Sequence, residues 1–595
     1  MLYMLLMPIL AQPQIIDVSD FGVHPNTRQD ATQAVARALE AAKGRKVVVS
    51  FPAGEYHFWR ENGAEKDLFL SNSDVANPRR VAIWIEGQRN LTLQGKGVRL
   101  VFHDRIIPFV IEKSENVKLA GFEVDWERPL MSQARVQAAD ADGITLQISE
   151  EFPYAIEQGK LWFTDKTWRR QVWSFMEFDP STKGVAAGTG DAGCLGGGWQ
   201  NYTATELSPG HVRLKYKFSR LPKVGNVLVA RHGVRDHCGT FIENSKNITL
   251  QDMNYRHTSG LGVLAQYSEN LAYRNVNVMP DPKGQRLFAG HDDGFHFSNC
   301  KGSIVVDGCR FEGLMDDPIN VHGTCVRIVE KLDKRTVRCR FMHDQSKGFR
   351  FGNQGDEVSF IEHETMASLG IGKVAEVKPI SVEEFTVTFA ADIPEQLKTT
   401  DALENLTWTP SLEVRNSVFG PVRARGLLVS TPKKVRIENC VFRSSGSAIL
   451  IAGDANYWFE SGAVRDVLIR NNLFENCLTS PYQFCDAVIS VHPEIPKAGV
   501  PFHRNIRIQN NRFVTFDRPV LWAKSVDGLE FSGNEIATSR AIAPWHPNPN
   551  GLTFIDCQRV NVFGNRRADD YKGTSVQIEG GKPETIKVVG WTGSP

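Results

Sequence analysis

Two acidic doublets carry the strongest chemical signal in the chain. They are His291-Asp292-Asp293-Gly294 and Met315-Asp316-Asp317-Pro318, with Asn320-Val321-His322-Gly323 close behind. Asp292 and Asp316 are 24 residues apart, and so are Asp293 and Asp317. If the chain climbs one solenoid turn in that distance, one doublet lies over the other, about 4.8 Å away at the backbone. Four carboxyl groups that close cannot all ionise cheaply, so at least one should hold its proton unusually tightly. A protonated carboxyl beside an ionised one is the equipment of a glycoside hydrolase. The first protonates the leaving oxygen, and the second activates water or attacks carbon. The competing readings are solvated turn residues and a calcium site.

Other residues could assist. His291 and His296 flank the first doublet and His322 follows the second, each able to hold a carboxylate or a sugar hydroxyl or to serve structure alone. Asp292 and Asn320 are further candidates for sugar contact. Arg235-Asp236-His237 lies one or two turns earlier, so Arg235 and Asp236 are candidate substrate contacts, against a local ion pair in a turn. Trp199, Trp458, Trp522 and Trp545 could stack on a sugar face, against ordinary core packing. Pro318 removes a ladder donor and marks a strand end, where side chains reach a cleft.

The elements that position these residues recur along the chain. Asn90-Leu91-Thr92-Leu93-Gln94-Gly95 returns as Asn116-Val117-Lys118-Leu119-Ala120-Gly121, as Asn247-Ile248-Thr249-Leu250 and as Asn270-Leu271-Ala272-Tyr273. Later copies run through Val435-Arg436-Ile437, Val467-Leu468-Ile469, Ile506-Arg507-Ile508 and Val560-Asn561-Val562. Alternating apolar residues make a strand with one face inward, and Asn or Gly supplies the left-handed turn. Uninterrupted copies lie 23 to 26 residues apart. That period, without intervening helices or a leucine-dominated consensus, predicts an all-β, right-handed parallel β-helix. Ile15 to Gly54, with an Ala-rich helical stretch ending at Ala42, reads as a cap and first turn.

Two stretches break the period and read as antiparallel strands, hence as small inserted β-barrel modules. The expected organisation is an export segment at 1–14, cap and first turns at 15–126, a first module at 127–228 and central turns with the acidic motifs at 229–324. A second module follows at 325–409, overhanging the acidic patch, then C-terminal turns at 410–595.

Composition narrows the function. Hydrophobic residues make up 41% and charged residues 23%, and the formal net charge is +1, so nothing global favours nucleic acid or an acidic membrane as partner. Met1 to Ala11 is almost wholly apolar, too short to span a bilayer, and resembles the h-region of an export signal without its basic n-region. An exported, periplasmic or extracellular protein is expected. The ten cysteines show no ligand-like spacing and several fall at strand positions, which predicts buried free thiols. HExxH and EF-hand motifs are absent, so neither metal nor cofactor is expected.

The sequence resembles the exo-acting α-1,3-galactosidases of glycoside hydrolase family 110. The resemblance covers nearly the whole chain and is most specific in His291-Asp292-Asp293-Gly294-Phe295-His296 and Met315-Asp316-Asp317-Pro318-Ile319-Asn320-Val321-His322-Gly323. It implies removal of terminal α-1,3-linked galactose, including that of the blood group B antigen, with inversion and without a metal. It implies catalytic roles for Asp293, Asp316 and Asp317, with Asp316 as the general acid and Asp293 with Asp317 as the pair holding the nucleophilic water. The expected partner is a glycan ending in α-galactose, with no membrane-spanning segment and a homodimer as candidate assembly. The alternatives are a polygalacturonase-like hydrolase or lyase and a non-catalytic glycan-binding β-helix. A uronate-binding enzyme would want a basic cleft, and the two acidic motifs carry little Lys or Arg between them.

Overall fold

The computed structural model describes residues 14–190 and 194–591, so the expected export segment lies outside the described residues apart from Gln14. The chain forms a parallel β-helix. One face is a stack of strands that starts at Arg79–Glu86, Ile107–Glu112, Cys238–Glu243 and Leu261–Gln266 and continues through Phe295–Ser298, Ile319–Lys331 and Leu427–Val429. It runs on in parallel register to Val576–Glu579.

The asparagine of each repeat turns the corner. Asn90, Asn116, Asn247 and Asn270 all have φ between 55° and 57°. Each amide donates to the asparagine one turn below, with Nδ2–Oδ1 distances of 3.0, 2.9 and 3.1 Å. A second ladder joins Asn472, Asn511, Asn534 and Asn565. Inside, Phe311, Phe419, Phe442, Phe474 and Phe513 stack with ring centroids 4.5 to 5.2 Å apart. Such columns bury apolar area and fix the register together.

Helix Thr32–Ala42 covers the open N-terminal end, burying Ala34, Val35, Ala38, Leu39 and Ala42 against the first turns. Just before it, the Asp30 side chain accepts from the Thr32 N–H at 2.9 Å. All ten cysteines are buried free thiols. Among the described residues no helix is long and apolar enough to cross a membrane.

Two antiparallel units interrupt the solenoid. The first is a seven-stranded sheet built from strands between Ser132 and Arg231, with a three-stranded companion, around its own core. The second is a closed six-stranded barrel. Its strands are Ile319–Lys331, Thr336–Arg340, Glu384–Phe389, Ser368–Pro379, Glu357–Ile361 and Ala402–Asn405, in ring order. Strand Ile319–Lys331 serves both structures: Ile319–Val321 pair within the solenoid, and Cys325–Arg327 pair with the barrel strand Ala402–Asn405. The barrel therefore begins inside a solenoid strand, with no linker.

Candidate active site

The 24-residue spacing is one turn. Gly290 bridges Leu314, and Phe295 pairs with Ile319. Asp292 consequently lies over Asp316, and Asp293 over Asp317. The Gly294 N–H donates to the Asp317 carbonyl at 2.9 Å. A Cβ at Gly294 would lie 2.6 Å from the Pro318 carbonyl oxygen, so this close approach requires glycine.

Each aspartate meets a guanidinium. Arg235 bridges the doublets, with Nη2 3.1 Å from Asp293 Oδ1 and Nη1 3.4 Å from Asp316 Oδ2. Arg423 Nη1 is 3.5 Å from Asp316, Arg425 Nη2 is 2.9 Å from Asp317, and Arg231 Nη2 is 3.6 Å from Asp292. Asp317 also accepts the Arg425 backbone N–H at 3.1 Å. Position separates the carboxyls further: the Asp316 side chain is 20% exposed, against 2% for Asp293 and Asp317.

Their proton affinities diverge. Burial, reinforced by neighbouring aspartates, pushes both Asp293 and Asp317 up to about 8 despite their arginines. Burial also works on Asp316, but Arg423, Arg235 and Arg425 outweigh it and hold that carboxyl below its ordinary range. Asp292 is likewise held low against burial, by His291, Arg235 and Arg231.

A cavity of about 700 Å³ opens over the doublets. Its lining includes Asn72 and Asp74 from an N-terminal turn, Trp173 from the first insert and Gln345 from the barrel. Trp458 and Glu460, with the segment 481–484, close the other sides. His343 of the barrel stacks on Trp458 at 4.6 Å. The barrel thus reaches the patch with Gln345 and a support for Trp458. Two buried polar atoms of residues in the cavity wall, Asn320 Oδ1 and His291 Nε2, have no hydrogen-bond partner in the protein.

The structure brings together Asp292, Asp293, Asp316, Asp317, His291, Asn320 and Arg235 at this wall. Three expected contacts lie elsewhere. Asp236 points away and pairs with Arg105 and His237, the chain turning at Arg235 where the Asp236 N–H donates to the Val234 carbonyl at 3.0 Å. His296 and His322 lie behind the wall: His296 Nδ1 is 2.6 Å from Asp293 Oδ2, and the two rings meet Nε2 to Nε2 at 2.8 Å. Of the four tryptophans, Trp458 lines the cavity. Trp199 packs on Phe175, Trp522 on His492, and Trp545 on His546.

The inference from scarce basic residues is corrected. Arg231, Arg235, Arg423 and Arg425 all line the cavity, supplied by turns outside the two motifs. They stand against eight carboxyl side chains on the same wall, of which Asp293, Asp317 and Glu494 are pushed up to about 8, so near neutral pH the remaining carboxylates and the four arginines roughly balance. Arg423 and Arg425 had a readable signal: with the barrel removed, Leu427 stacks one turn after Ile319, which places Arg425 over Asp317 on the next rung. Trp173, Glu460 and Asn72 carry no comparable mark. Among the described residues, the group with metal-like spacing is Glu362, His363 and Asp401 in the barrel, away from this cleft.

Residues 132–228 match the family model described as GLAA-B beta-barrel domain I, and residues 336–403 match GLAA-B beta-barrel domain II. The chain is 44% identical over 590 residues to alpha-1,3-galactosidase B of Bacteroides thetaiotaomicron, covering 97% of this chain and 95% of that protein. It is 38% identical to alpha-1,3-galactosidase B of Phocaeicola vulgatus, covering 93% and 97%, and 36% identical to alpha-1,3-galactosidase A of Bacteroides fragilis, covering 97% and 96%. Among solved structures, a family 28 exopolygalacturonase of Yersinia enterocolitica aligns over 95% of this chain and 80% of its own, at 13% identity and a TM-score of 0.41.

Proposed function

The chain belongs to the α-1,3-galactosidase family, and from that membership we propose that it is an exo-acting, inverting glycoside hydrolase that removes terminal α-1,3-linked galactose. The observation that carries the reading is the stack of Asp293, Asp316 and Asp317 at the foot of a cavity walled on several sides. Walls from five separate segments favour a chain end over a mid-chain segment. The likeness to alpha-1,3-galactosidases over nearly the whole chain disfavours the polygalacturonase-like alternative. The blood group B antigen and linear α-1,3-galactosides both present the required terminus.

In this reading Asp316, the most exposed of the three carboxyls, meets the glycosidic oxygen as general acid. Asp293 and Asp317, on adjacent rungs, hold the attacking water. Substrate entry strips water from Asp316 and raises its proton affinity. The order of affinities in the empty cleft favours a second reading, in which Asp316 is the base and a recessed carboxyl the acid. Export and a homodimeric assembly belong to the same proposal, tested by cell fractionation and native mass. The activity is tested on α-1,3-digalactoside and the B trisaccharide, with polygalacturonate alongside: galactose release from the first two supports the reading, and cleavage of polygalacturonate alone overturns it.

A further inference from the structure

Behind Asp293 runs a line of contacts that the reaction, as described, leaves unused. Asp293 Oδ2 is 2.6 Å from His296 Nδ1, His296 Nε2 is 2.8 Å from His322 Nε2, and His322 Nδ1 is 2.6 Å from the Gly323 carbonyl oxygen. Both rings are buried, so bulk solvent does not reach these atoms.

A carbonyl oxygen only accepts, so His322 Nδ1 carries a hydrogen. Each of the three contacts requires one proton between its heavy atoms. Two neutral imidazoles bring two. With Asp293 ionised and both rings neutral, one contact would set lone pair against lone pair: Asp293 against His296, or one Nε2 against the other. The third proton must therefore be present, on the Asp293 carboxyl or on an imidazole.

We propose that His296 and His322 are positioning residues that form, with Asp293, a wire holding one proton beyond a carboxylate and two neutral rings. By it, Asp293 ionises through inward transfer and not by release to solvent. The step balances internally. The Asp293 Oδ2–H bond breaks as His296 Nδ1–H forms, and His296 Nε2–H breaks as His322 Nε2–H forms. The products are a carboxylate and a His322 imidazolium.

The surroundings suit both ends. Glu460 Oε1 lies 3.6 Å from His322 Nε2, brought there because Glu460–Ser461 pairs antiparallel with Gly323–Thr324. Its carboxyl is held below the ordinary range: burial opposes, but His322, His296 and the amides of Asn72 and Asn320 prevail. Asp293 faces Arg235, Asp292, Asp316 and Glu460, and burial leads in making it retain its proton near neutrality. His296 faces His322, Glu460, Arg235 and Asp316. The inference rests on Asp293 as a water-holding carboxylate.

The test uses full-length His296→Phe, His322→Phe and Glu460→Gln. In folded variants the acid limb of kcat/KM should move up by about one pH unit or more, with activity recovering at alkaline pH, because Asp293 must then lose its proton to solvent. Glu460→Gln should move the limb less, in the same direction. A loss by one factor at every pH overturns the wire. Imidazole NMR on histidine-labelled protein needs no turnover. The hydrogen-bonded ring protons of His296 should change in His322→Phe and persist in Asp316→Asn, whereas His296 signals indifferent to His322 overturn the wire. Wild-type protein inactive on α-1,3-digalactoside, with that coupling intact, would sink the galactosidase reading alone.

Discussion

Arg425 grips Asp317 twice, by its backbone N–H at 3.1 Å and by Nη2 at 2.9 Å, although 108 residues separate them in the chain. The Asp317 side chain is buried and Arg425 is only partly exposed, so the pair is a charge-assisted contact largely shielded from water. Removing one partner of a buried pair strands the other and costs about 3–5 kcal/mol. Arg425→Met should therefore lower the melting temperature, push the Asp317 carboxyl further up, and reduce kcat by about 10²-fold or more. Near-normal kcat in Arg425→Met would remove Asp317 from the water-holding pair.

Asp316→Asn keeps the volume and loses the transferable proton. Against α-1,3-digalactoside its kcat should fall by about 10²–10⁴-fold. Against α-galactosyl fluoride, whose leaving group needs no proton, the loss should be far smaller. Equal losses on both substrates would transfer the acid role to a recessed carboxyl.

Asp293 holds its proton to about 8 in the folded chain, against about 3.9 unfolded. Between those values the folded state binds more protons, so stability from this group is full below the unfolded value and is lost as pH rises toward 8. Asn at this position donates to His296 Nδ1 without ionising. Asp293→Asn should melt above wild type at pH 9 and close to it at pH 5, while inactive at both. A variant less stable at pH 9 contradicts the raised affinity.

Chelation should not touch activity. Every aspartate of the cluster already faces a guanidinium within 4 Å, so the positive charge that a cation would bring is supplied. Kinetics before and after dialysis against EDTA check this, and calcium rescue would reverse it.

Inversion makes β-galactose the first product. Proton NMR of the fresh reaction should show the β-anomer before mutarotation, and an early α-anomer signal would require a covalent intermediate.

The legible parts of the chain are those governed by local spacing. The Asn corners and the two doublets are periodic, and periodicity survives in sequence because each turn repeats the same backbone geometry. Arg423 and Arg425 are legible only once the barrel is set aside: Arg425 lies over Asp317 one rung on, although 108 residues separate them in the chain. Glu460 reaches His322, and Asn72 reaches Glu460, from segments whose course no period dictates. His296 was visible as a residue but not as a direction: it faces the back of Asp293 instead of the cavity.

The barrel's closure has a consequence for how the chain assembles. Bringing the rung of Leu427 onto that of Ile319 closes a loop whose entropy grows with the length of free chain between them. Cys325 pairs with Glu404, so a barrel already folded holds the two ends of that loop side by side. Most of the intervening chain then no longer counts as free. Local folding of the insert should therefore precede and speed the long-range meeting of Asp317 with Arg425, and mutations that slow barrel closure should delay recovery of activity more than recovery of β structure during refolding.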